Sequence, residues 1–253
     1  MRAQRDGLVA GVISSFIVIV LQFSITTASR IVADMVGRRW PTRSIWRFKN
    51  PRRIYVVSGS IESITDPAGT AFLAGPDAEA VAVVRVALSV LYPKAEIVHT
   101  YAPSLSRDLY NANIVAVGGP VNNRCTRDFL LQIPDAPKYE NLDLVTSARR
   151  YSLEPITEQN PARTDYGLVI STVNPFSESA RWVIISGCDT SGVLAAATVL
   201  SPLRETARCR SEIRRKIQRF RGPKGYAAVV STLAIGNLAS PPHVEEVEYV
   251  GTS

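Results

Sequence analysis

The sequence has few of the residues that build metal centres, disulfide frameworks and hydrolase triads. Its 253 residues include 3 cysteines and 2 histidines, and Cys125, Cys188 and Cys209 are widely spaced without a CxxC pair. Exported proteins of this size more often carry an even set of cysteines, so we expect three reduced thiols. With so few histidines and cysteines, the sequence offers few candidates for a zinc site or a Ser-His-Asp triad, and the HExxH motif is absent. The sequence identifies no metal ligand and no cofactor.

Positive charge is confined to two short segments. Residues 1–53 hold 10 Lys/Arg against 2 Asp/Glu, whereas residues 54–203 hold 10 against 15. Residues 204–224 again hold 9 against 2. The body of the chain is therefore mildly acidic, which argues against a nucleic-acid-binding globule, because such a domain presents a broad basic face.

The N-terminal segment has the pattern of a membrane span. Residues 8–25 contain no charged side chain, and a helix of that length spans roughly 27 Å, close to the hydrocarbon thickness of a bilayer. The flank after it is basic, as on the cytoplasmic side of a first span. We predict a single-pass membrane protein with a transmembrane anchor over 1–28, a basic juxtamembrane linker over 29–53 and a cytoplasmic domain over 54–253. A signal peptide cleaved after Ala28 is the alternative.

Strand and helix patterns alternate along the body. Apolar runs at 54–58, 96–100, 113–117 and 181–186 predict buried strands, and the apolar spacing over 77–91 predicts a helix with Asp77 as its N-cap. Residues 139–181 combine strand patterns at 143–152 and 166–173 with turn residues and predict a hairpin-like insertion, and 227–235 is a last strand to be paired with 244–250. The sequence thus predicts an α/β fold, a Rossmann-like and mainly parallel sheet with helices on both faces.

Small polar residues follow three of the predicted strands. Ligands of open parallel sheets bind beyond the carboxyl ends of the strands, where glycine lets the backbone approach closely and a helix N-terminus offers amides to an anion. We therefore predict a site for a nucleotide-type anionic ligand, although the glycines could simply turn each strand into the next helix. The predicted ligand-binding residues are Ser58, Gly59, Ser60, Gly118, Gly119, Asn122, Asn123, Thr126, Gly187, Thr190, Ser191 and Gly192.

The three junctions resemble a known style of nucleotide-recognition loop. The segments IYVVSGS (54–60), NIVAVGGPVNN (113–123) and WVIISGCDTSG (182–192) resemble Rossmann-like domains of bacterial signalling and defence proteins, namely the SLOG and Toll/interleukin-receptor-like (TIR) groups. The resemblance implies a nucleotide or NAD-derived ligand, with cleavage of a glycosidic bond as a further activity. Cleavage would need a carboxylate in the pocket, and Glu62 and Glu79 are the candidates because both follow the first strand.

The second basic segment runs from Arg204 to Lys224. Cys209, Ile213, Ile217 and Phe220 form one narrow apolar stripe on an otherwise cationic helix. This pattern predicts a solvated surface helix that is docked by the stripe. Contact with anionic lipid headgroups at the bilayer surface is the alternative.

Three functions remain open on the sequence alone. The first is a membrane-anchored cytoplasmic domain that binds a nucleotide-type anion as a sensor or effector. The second is a nucleotide or NAD glycosidic-bond hydrolase, and the third is a ligand-free structural or assembly protein. Homo-oligomerisation is compatible with each.

Overall fold

The computed structural model describes residues 42–59, 61–62, 71–72, 75–157, 161–219, 225–236 and 238–251. The chain divides into two units, Met1–Trp40 and Pro41–Ser253, and every described residue belongs to the second. Its strands are β1 (Arg53–Ser58), β2 (Ile61–Glu62), β3 (Ala71–Phe72), β4 (Glu96–Tyr101), β5 (Ile114–Val117), β6 (Lys138–Glu140), β7 (Asp143–Val145), β8 (Arg150–Tyr151), β9 (Ala162–Asn174), β10 (Ser177–Gly187), β11 (Tyr226–Ile235), β12 (Leu238–Ala239) and β13 (His243–Tyr249). Its helices are α1 (Gly75–Leu91), α2 (Arg124–Leu130), α3 (Thr190–Val199) and α4 (Ala207–Arg219), with 3-10 helices at Ala102–Ser104 and Arg107–Asn111.

Within the described residues, eight strands form one mixed sheet. Seven follow the order β12-β11-β9-β10-β5-β1-β4, and β13 also pairs with β11. Strands β4, β1, β5 and β10 run parallel, whereas β9 is antiparallel to both β10 and β11. The predicted pairing of the last two strands is confirmed, because β13 runs antiparallel to β11.

The prediction of a Rossmann-like, mainly parallel sheet is wrong, and so is that of an insertion over 139–181. That stretch contains β9, a strand of 13 residues that lies inside the sheet between β10 and β11. Only residues 175–176 connect β9 to β10. So short a connection forces antiparallel pairing, because parallel strands need a crossover of a dozen or more residues.

Helices alone do not cover both faces of the sheet, as the Rossmann-like prediction required. Side chains of β1 alternate between the faces, so that Val56 packs in the cluster with α1, α3 and α4 while Val57 packs in the other. The second face is covered by α2, the 3-10 helices and a three-stranded sheet of β6, β7 and β8. Its core includes the ring of Phe129, which stacks on Trp182 with centroids 3.5 Å apart.

The residues just before β1 belong to the folded body. Residues 42–46 are helical, and the side chains of Ile45 and Trp46 are fully buried. The Trp46 indole Nε1 donates a hydrogen bond to the Leu200 carbonyl over 2.9 Å, and the Tyr226 hydroxyl donates to the Ile45 carbonyl over 3.0 Å. Part of the stretch predicted as a linker over 29–53 therefore packs in the core.

The prediction of a single-pass membrane protein is not supported by any helix in the described part of the chain. None of the helices in that part of the chain combines the length and the apolarity needed to cross a membrane. The predicted span over 8–25 itself lies outside the described residues.

Helix α4 carries the second basic segment. Cys209, Ile213 and Ile217 are buried, as expected of a stripe that docks the helix, while Arg208 and Arg215 are exposed. Phe220 and residues 221–224 lie outside the described residues. Contact of this helix with anionic headgroups stays a prediction.

Candidate functional site

A small cavity lies at the carboxyl ends of the parallel strands. Its volume is about 160 Å³, and Asp77 of α1 forms one wall. Residues 119–122 after β5, residues 187–190 after β10 and Val193 of α3 form the next walls, and Tyr139, Asn141 and Leu142 of the β6–β7 hairpin close it. A cavity of this size accommodates a single ring, because about 150 Å³ suffices for benzene.

Asp77 is the most unusual side chain of this cavity. It is 8% exposed, and its Oδ1 atom has no hydrogen-bond partner among the described residues. Burial raises the pKa of its carboxyl from 3.8 to about 6. The sequence predicts Asp77 as a helix N-cap, but α1 already begins at Gly75, so the carboxyl lies within the first turn. The signal available in the sequence was an acidic residue at the start of the helix that follows the first predicted strand.

At the second junction, Asn123 has a structural role. Its Nδ2 donates to the carbonyls of Val57 and Val117 over 3.0 and 2.9 Å, which ties β1 to β5. Its Oδ1 accepts the amides of Cys125 and Thr126 over 2.9 and 3.3 Å and so caps α2. The side chain is fully buried, and its hydrogen-bonding capacity is used within the chain.

The rest of this junction divides between packing and the cavity. Thr126 is buried and donates its hydroxyl to the Gly118 carbonyl over 2.9 Å. Gly118 adopts φ +114°, which favours glycine. Gly119 and Asn122 line the cavity, and Asn122 is exposed. Of the predicted residues here, these two are in position to meet a ligand.

At the third junction, two carboxylates occupy the positions predicted for an anion. Asp165 of β9 accepts the Gly192 amide at Oδ2 over 2.6 Å and the Asp189 amide at Oδ1 over 3.2 Å. Asp189 accepts the Thr190 amide over 2.7 Å and pairs with the Arg163 guanidinium. The amides of Thr190 and Gly192 in the first turn of α3 are therefore already bound, and negative charge of the chain itself faces the positive end of the helix.

Tight backbone packing accounts for two of the predicted glycines at this junction. A Cβ on Gly187 would lie 2.5 Å from the Val193 amide nitrogen, and a Cβ on Gly192 would lie 2.2 Å from the Tyr166 carbonyl oxygen. Thr190 lines the cavity, whereas Ser191 is not among the residues that line it. Both side chains are half-buried.

The first junction is held by a serine–histidine hydrogen bond. Ser58 Oγ lies 3.0 Å from His99 Nε2, and the serine is 1% exposed. Burial, with a smaller contribution from Arg85, lowers the pKa of His99. A Cβ on Gly59 would lie 2.5 Å from the Asn122 carbonyl oxygen, so this glycine serves a close approach. Ser60 lies outside the described residues.

The structure does not bring the predicted catalytic carboxylate Glu79 into the cavity. Glu79 is exposed on α1 and is absent from the described lining, whereas Asp77, two residues earlier, is part of it. Glu62 is the last residue of β2, and its side chain is outside the described part.

The remaining ionisable groups of the cavity are uncharged at neutral pH. Cys188 is buried, and this burial raises the pKa of its thiol to about 12, so it is no thiolate nucleophile. Burial also raises the pKa of Tyr139, whose hydroxyl lies 2.8 Å from Ser186 Oγ. Carboxylates and neutral hydrogen-bonding groups therefore define the chemistry of the cavity.

No protein-family model matches this chain, and no curated protein or solved structure matches it either. The resemblance to the SLOG and TIR groups therefore stays a prediction from the loop residues.

Proposed function

We propose that this domain binds a small polar ligand in the cavity at the carboxyl ends of β5 and β10. The observation that carries the proposal is that buried Asp77 lines the cavity and its Oδ1 atom has no hydrogen-bond partner among the described residues. A buried carboxylate without partners costs free energy, which a hydrogen-bond donor on a ligand would offset. Pockets that combine apolar walls with a few convergent polar groups are the usual form of small-molecule sites.

A nucleotide-type ligand fits this proposal if its base or ribose, rather than its phosphate, enters the cavity. The cavity holds about one ring, so a base or a ribose fits inside it and the rest of a nucleotide stays outside. Bases and riboses carry amino and hydroxyl donors, and carboxylates bind ribose hydroxyls in dinucleotide-binding folds. The ligand would meet Asp77 through such a donor.

Ligand-induced stabilisation of the full-length protein tests the proposal. Adenosine, AMP, a cyclic nucleotide and NAD are added in turn, and the melting temperature is measured for the wild type, Asp77→Asn and Glu79→Gln. At least one compound should raise the melting temperature of the wild type and of Glu79→Gln, because Glu79 is exposed on the same helix. The shift should be lost in Asp77→Asn. Equal shifts in all three proteins, or none in the wild type, would contradict the proposal.

Hydrolysis of a glycosidic bond is a second candidate, favoured by one observation. A carboxyl with a pKa of about 6 can both donate and accept a proton near neutral pH, as general acid–base catalysis requires. In this version Asp77 replaces Glu79 as the catalytic carboxylate. Turnover of NAD or a nucleotide should then be abolished by Asp77→Asn and retained by Glu79→Gln. A wild-type protein that turns over none of these compounds is a binding module only.

A further inference from the structure

We infer that the cavity selects a neutral or cationic ligand group that carries N–H donors, such as an amine, amidine or amide on a single ring, and that it rejects phosphate and carboxylate. This inference rests on the proposed function, because it assumes that the cavity is the ligand site. It names the chemical class that the site takes, and it reverses the anionic preference expected from the sequence.

The first argument is the charge of the walls. Asp77 and Asp189 line the cavity, and the described lining contains no lysine, arginine or histidine. Arg163 approaches only through its ion pair with Asp189. An anion that enters would face two carboxylates in a partly desolvated space, where the repulsion between like charges is stronger than in water.

The second argument is the use of the backbone donors. An anion at a helix N-terminus needs free amides, but those of Asp189 and Gly192 are bound by the Asp165 carboxylate. The carboxamide of Asn123 likewise occupies the amides of Cys125 and Thr126. Among the described residues, the amides of Asp189, Gly192, Cys125 and Thr126 are therefore not free to bind a phosphate.

The third argument is the acceptor that remains. Asp77 is more than nine-tenths buried, lines the cavity and keeps Oδ1 unpaired within the described residues. An ionised carboxylate only accepts hydrogen bonds, and planar N–H groups match it best. Val193 and Leu142 add apolar surface for the ring that carries those groups.

Three probes of equal size test this selectivity on the full-length protein. Benzamidine, benzamide and benzoate share one ring and differ in charge, and inorganic phosphate is the fourth probe. We measure dissociation constants by calorimetry at pH 7.5 for the wild type, Asp77→Asn and Glu79→Gln. Benzamidine should bind the wild type and Glu79→Gln about ten- to a hundredfold more tightly than benzoate, the size expected of a charge-assisted hydrogen bond. Benzamide should lie between them, and Asp77→Asn should abolish the preference.

The outcomes separate this inference from the proposed function. Benzoate or phosphate that binds as tightly as benzamidine overturns the inference, and so does a failure of all ring probes to bind. In both cases a nucleoside whose stabilising effect depends on Asp77 would still support the proposed function. The wild-type order of affinities needs no variant, so it decides the inference even if Asp77→Asn fails to fold.

Discussion

Gly167 of β9 and Gly192 of α3 meet backbone against backbone. A Cβ on Gly167 would lie 2.2 Å from the Gly192 carbonyl oxygen, closer than any real contact of that kind. The glycine spacing from 187 to 192 is that of a phosphate-binding loop. In the fold, however, Gly192 lets α3 approach the sheet, and the Asp165 carboxylate accepts the Gly192 amide that a phosphate would otherwise bind.

Substitution of these glycines should separate packing from ligand contact. We expect Gly192→Ala to lower the free energy of unfolding by about 3 kcal/mol or more, because backbone would have to move. Gly119→Ala is the matched control, since a Cβ there lies 3.5 Å from the Gly187 carbonyl oxygen, an ordinary contact. It should change stability by less than about 1 kcal/mol. Urea denaturation measures both, and a Gly192→Ala protein of wild-type stability would refute the packing argument.

Asn123 should be a stabilising residue rather than a ligand contact. Asn123→Ala removes hydrogen bonds to β1, β5 and the first turn of α2, so we expect a loss of about 2–4 kcal/mol. Asn122→Ala, at the exposed neighbour, should stay within about 0.5 kcal/mol. Chemical denaturation of the two variants compares them directly. Equal losses of stability in the two variants would show that the buried Asn123 carboxamide contributes no more to the free energy of unfolding than its exposed neighbour does.

The stability of the protein should depend on pH through Asp77. Burial raises the pKa of Asp77 from 3.8 to about 6, so the folded state holds this proton more tightly than the unfolded state does. The contribution of Asp77 to stability is therefore present below pH 4 and is lost as the pH rises to 6. Two pKa units correspond to about 3 kcal/mol, which is the upper limit of this contribution.

Asp77→Asn should accordingly stabilise the ligand-free protein by about 1–2 kcal/mol at pH 7.5, because it removes a buried charge. The gain should disappear at pH 4, where the wild-type carboxyl is protonated in the folded state. Thermal unfolding at the two pH values provides the measurement, with Glu79→Gln as the exposed control. A variant that is less stable than the wild type at pH 7.5 would mean that Asp77 is compensated within the protein.

The residues before β1 should be required for folding. A chain that begins at residue 54 lacks Ile45, Trp46 and Phe48, all of which are buried. Because each such side chain contributes about 2–5 kcal/mol, we expect that chain to be unfolded and one that begins at residue 41 to fold. Circular dichroism and thermal unfolding distinguish the two. A cooperative transition in the shorter chain would place the boundary where the sequence predicts it.

The local elements could be predicted from the sequence to a large extent. The runs that form β1, β5 and β10 are apolar and bounded by glycine, and the spacing over α1 has the period of a helix, so short-range patterns sufficed. The pairing of β11 with β13 followed from two neighbouring strand patterns near the end of the chain. The candidate site could be predicted only as a location beyond the carboxyl ends of parallel strands, and the cavity lies at the ends of β5 and β10.

The place of β9 and the use of each polar group could not be predicted in this way. Turn residues within and just after β9, namely Asp165, Gly167, Asn174 and Pro175, favoured an insertion. Pairing of residues 167–174 with β10 and of residues 162–171 with β11 nevertheless puts this strand inside the sheet. Asp165 and Gly192 are 27 positions apart, and no local sequence pattern predicts that the Asp165 carboxylate accepts a hydrogen bond from the Gly192 amide. The sequence indicated Asp77 only as a helix cap. Its place in the cavity wall depends on loops from three distant segments, which no local pattern reveals.

The sequence by itself determined which segments become strands and helices and where small polar residues follow strands, because periodicity and glycine act over a few residues. Only the tertiary structure decided which hydrogen-bonding groups pair within the chain and which line the candidate site. That choice depends on contacts between residues remote in sequence: Asn123 with β1, Asp165 with α3 and Tyr139 with Ser186. Once those groups have paired, Asp77 is the buried carboxyl in the cavity wall that keeps an oxygen unpaired among the described residues.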